Sequence, residues 1–97
     1  MQTHEQDIDR ELLELKKQAT ILLTKIDDDI LNRIHGIINR MPGAIAVACL
    51  SAALADCISH ISKTEDGVGR NVLIASEAIL KMATAGLARK NEEQKLN

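Results

Sequence analysis

Phenylalanine, tyrosine and tryptophan are absent from the whole chain. Aromatic rings bury ~150–250 Å² apiece and normally supply much of a small interior. Without them the apolar inventory is twelve Ala, twelve Leu and twelve Ile, with three Val, three Met and two Cys. Leu and Ile can then form a core only along seams between secondary-structure elements, with Ala allowing close approach. A single domain of 97 residues buries only ~60–65% of the surface that its unfolded form exposes. The expectation is a core shared between chains, in the first instance between two.

The same inventory selects the fold class. Ala and Leu are strong helix formers, and Ile is accepted in helices at modest cost. One Pro and five Gly are too few to punctuate a set of short strands and turns. The chain reads as a single all-α domain: a three-helix protomer (about 6–40, 43–62 and 67–89) with frayed tails at about 1–5 and 90–97, assembling into a dimeric helical bundle.

Composition also excludes partners. Twelve basic residues against fourteen acidic, a net charge of −2, leave no electrostatic footprint for nucleic acid or an anionic membrane. The missing rings remove stacking platforms for single strands and aromatic membrane belts. Residues 43–58 are almost uninterruptedly apolar but shorter than the ~20 residues that a bilayer requires. Ala is weakly hydrophobic and Asp56 is costly in lipid. The segment reads as the central helix of a soluble protein with no membrane partner. The acidic opening residues lack the apolar stretch of a signal peptide, which points to the reducing cytoplasm.

The first predicted helix carries apolar residues at Ile8, Leu12, Leu15, Ala19, Leu22 and Ile26, the alternating 4,3 spacing of a coiled-coil seam. The stripe continues as Ile30, Ile34, Ile37 and Met41 after one extra residue, a stutter that makes the seam drift. A continuous helix is expected through Gly36, with a cap or kink there as the alternative. Asp27, Asp28 and Asp29 fall mid-helix on this reading. They read as a solvated acidic patch that sets register, or as a docking surface for a basic partner.

Met41-Pro42-Gly43 ends that helix, and Pro42 suits the start of the next. At 100° per residue the second helix has one small-residue face, Ala44, Ala48, Ala52, Ala55 and Ser59, beside a bulkier one. A helix apolar nearly all round wants neighbours on every side. Leu12, Leu15, Leu22, Ile26, Ala44, Ala48, Ala52 and Ala55 are therefore the expected oligomer interface. The stretch from Glu65 to Asn71 reads as a flexible loop leading into the third helix, which starts somewhere between Thr64 and Asn71, since its Gly-x-Gly lacks the strand and Lys-Ser/Thr pair of a phosphate site.

The candidate chemistry is confined to the second helix. Asp56, Cys57 and His60 offer three zinc-type ligands where a closed site wants four. The competing reading is a plain i,i+4 pairing of Asp56 with His60. Cys49 and Cys57 lie about two turns apart, ~12 Å along the axis, too far to form a disulfide within one helix. They read as small buried hydrophobes, or as a redox-sensitive pair. No pair of titratable groups is placed for acid–base work. The sequence implies no catalytic residue and no cofactor. It points to a non-enzymatic oligomer whose partners are a second copy and another protein, with metal or redox binding on the second helix as the alternative.

Overall fold

The computed structural model describes residues 4–96. Four helices follow one another, α1 (His4–Leu23), α2 (Asp28–Ile38), α3 (Gly43–Ile61) and α4 (Glu65–Leu96), with no strand among the described residues. The all-α expectation holds. The expected three helices become four because the first one breaks.

The break lies where the seam stutters. Thr24 turns its hydroxyl back to the Ile21 carbonyl oxygen at 2.6 Å, and the chain leaves α1. Asp27 then takes an extended backbone and caps α2, its carboxylate accepting from the Asp29 and Ile30 amides at 3.0 and 3.1 Å. Asp28 and Asp29 occupy the first turn, where the helix dipole favours carboxylates. The three aspartates thus mark a helix start, not the middle of a helix. Short polar side chains compete with the backbone for hydrogen bonds, which makes Asp a poor interior residue and a good cap. Gly36 lies inside α2, two residues before its end, and no glycine adopts positive φ. It caps nothing.

Pro42 precedes α3 with φ −54° and ψ 140°, as the missing N–H and fixed φ of proline require. Helix α3 ends at Ile61, where Ser62 becomes extended and its hydroxyl donates to the Ile58 carbonyl oxygen at 2.6 Å. Only residues 62–64 separate α3 from α4. The Thr64 hydroxyl accepts from the Gly67 amide at 3.0 Å, and Glu65 and Asp66 fill the first turn. The expected loop is therefore the opening of a helix. At the far end α4 runs to Leu96 instead of stopping near residue 89. Its last turns are polar but rich in Ala, Lys, Glu and Gln, all good helix formers. Of the expected frayed start, residues 1–3 lie outside the described residues, while His4 and Glu5 already belong to α1.

The chain divides into two compact units. Unit 1 joins α1 to the part of α4 from Leu73 onward. Leu12 and Leu15 share a groove with Leu73 and Leu80, and further along both helices the Lys81 ammonium donates to the Thr20 hydroxyl at 3.1 Å. Positions rise together, so α1 and this part of α4 run parallel. The buried side chains of unit 1 are Ala19, Ala75 and Ala78. Unit 2, Lys25–Val72, holds α2, α3 and the first turns of α4. Its one buried hydrophobic side chain is Ile58, and the Asn71 amide donates to the Ser62 hydroxyl at 2.9 Å to clasp the turn between α3 and α4.

Two predictions follow from the caps. Asp27→Ala leaves two α2 amides without their acceptor and should lower stability by about 1 kcal/mol, read from urea denaturation at fixed protein concentration. Gly69 has open space where a Cβ would stand, whereas at Gly67 a Cβ would sit 3.2 Å from Thr64 Oγ1. Gly69→Ala should therefore raise stability by ~0.5–1 kcal/mol, and Gly67→Ala by clearly less in the same measurement.

Candidate functional site

The most unusual property of the chain is what it leaves uncovered. Twenty-one large apolar side chains are exposed among the described residues, against four buried hydrophobic ones of which three are alanines. The uncovered residues are not scattered. They follow helical spacing, and so they form faces.

Helix α3 shows this most completely. Its small-residue sector, Ala44, Ala48, Ala52, Ala55 and Ser59, is exposed along its length, as are Ile45, Val47, Leu50, Leu54 and Ile61 on other sectors. Ile58 alone is buried, and Ala46 is half-buried. The chain does not enclose this helix. By length and composition Gly43–Ile61 and Glu65–Lys95 could each cross a membrane, their most apolar 18-residue windows having mean hydropathies of 1.8 and 1.3. Charged residues lie within both stretches, Asp56 in the first and Glu65, Asp66, Arg70, Glu77, Lys81, Arg89, Lys90, Glu92, Glu93 and Lys95 in the second.

On α1, Leu15 is half-buried against its neighbour, whereas Leu12 and Leu22 remain exposed, as does Ile26 just after the helix. The groove in unit 1 encloses about 210 Å³ and is lined by Leu12, Leu15, Lys16, Leu73, Ser76, Glu77 and Leu80. Its walls are mostly leucine and it opens to solvent, which makes it a furrow between helices and not a closed ligand chamber.

The proposed metal ligands do not converge. Among the described residues no three His, Cys, Asp or Glu side chains come together in a way that could hold an ion. The His60 ring donates from Nδ1 to the backbone carbonyl oxygen of Asp56 at 2.9 Å. The expected pairing of imidazole with the Asp56 carboxylate is thus replaced by a bond to the main chain four residues back. Cys49 and Cys57 are both free and exposed, so the description of them as buried hydrophobes does not hold within the chain.

The sequence reading missed one face. Ile30, Ile34 and Ile37 continue the α1 seam in sequence but belong to a separate helix in which no residue is buried. The signal was present in their 4,3 spacing. Assigning them to a continuous first helix hid that they form a face of their own.

Exposure of both thiols makes a direct prediction. A chromogenic disulfide reagent should modify two cysteines per chain without denaturant. A count of two only after unfolding would show that α3 is covered in solution.

Comparison with known proteins finds no matching family model, no matching curated protein and no matching solved structure.

Proposed function

We propose that this chain is a small non-enzymatic helical protein that associates with itself, in the first instance as a dimer, and acts through protein–protein contact as an adaptor, chaperone-like or regulatory subunit of the cytoplasm. The observation that carries this reading is the exposure of apolar faces: twenty-one large apolar side chains are uncovered among the described residues, against four buried hydrophobic ones. A standard interface takes ~800 Å² from each partner, and obligate assemblies take more.

The chemistry of these faces points the same way. Exposed apolar patches beyond a few hundred Å² mark interaction surfaces on soluble proteins. Here they are Ile, Leu and Val side chains at helical spacing, which suits helix-against-helix packing better than binding of a small molecule. The faces carrying Leu12, Leu22 and Ile26 and the alanine sector of α3 are the surfaces that association would cover. Leu15 already lies partly against its own chain. With the interior this poor, folding and association become one equilibrium.

Sedimentation equilibrium between about 1 and 100 μM tests the proposal. A dimer or larger species is expected throughout, with a thermal midpoint that rises with protein concentration. A folded monomer with a concentration-independent midpoint overturns it. A monomer that floats with phospholipid vesicles would assign the exposed helices to a bilayer and overturn it equally.

A further inference from the structure

We draw no further inference here: the strongest candidate, the exposed isoleucine face of α2 formed by Ile30, Ile34 and Ile37, carries nothing because nothing in the structure shows what covers it.

Discussion

The constraint that everything else in this chain depends on is that the buried positions of unit 1 are alanines. Ala19 on α1 and Ala75 and Ala78 on α4 are the buried side chains of unit 1. Small side chains let helix axes approach toward the low end of ~8–10 Å, but they remove little apolar surface from water as they do so. At ~25 cal/mol per Å², a methyl group contributes far less than a leucine or a phenylalanine in the same place. The leucines and isoleucines that could supply the rest are displaced to the rims and outer faces of the helices. Alanine at the buried positions thus leaves most of the large apolar side chains unburied within the chain, and that remainder is the basis of the proposed self-association.

Which features were legible in the sequence follows from how local their causes are. The bounds of α3 could be read almost to the residue because Pro42 imposes its own φ and removes a donor, effects that need no tertiary context. The start of α2 was hidden for the opposite reason. The rise from Ile26 to Ile30 keeps helical spacing, so periodicity alone carries a helix straight across the break. The overriding cause was the Asp27 carboxylate, which satisfies two amides at once. Likewise Gly67 and Gly69 suggest a loop by composition, yet Thr64 caps them into α4. At the other end, polarity between Arg89 and Leu96 resembled a tail, whereas helix propensity, which is indifferent to polarity, extends α4 through it.

The candidate sites divide along the same line. The exposed alanine sector of α3 was legible because the 100° period alone places it. Convergence of Asp56, Cys57 and His60 was not decidable from spacing, since the imidazole had a nearer acceptor in its own main chain. The isoleucine row of α2 was visible as a pattern but invisible as a surface, because only the break at residues 24–27 separates it from α1. Interaction faces of this kind are written in periodicity, while their independence is written in the caps.

The two glycines near the start of α4 have a consequence for how the molecule comes apart. A helical glycine costs about 1 kcal/mol relative to alanine, and Gly67 and Gly69 stand within the first five residues of a 32-residue helix. Against that cost stand the Thr64 cap and the Asn71–Ser62 clasp, all of them solvent-accessible or only part-buried. Regions with few buried apolar contacts are the first to open in native-state fluctuations. The opening turns of α4 are therefore a weak point of that helix, which the Thr64 cap and the Asn71–Ser62 bond hold closed.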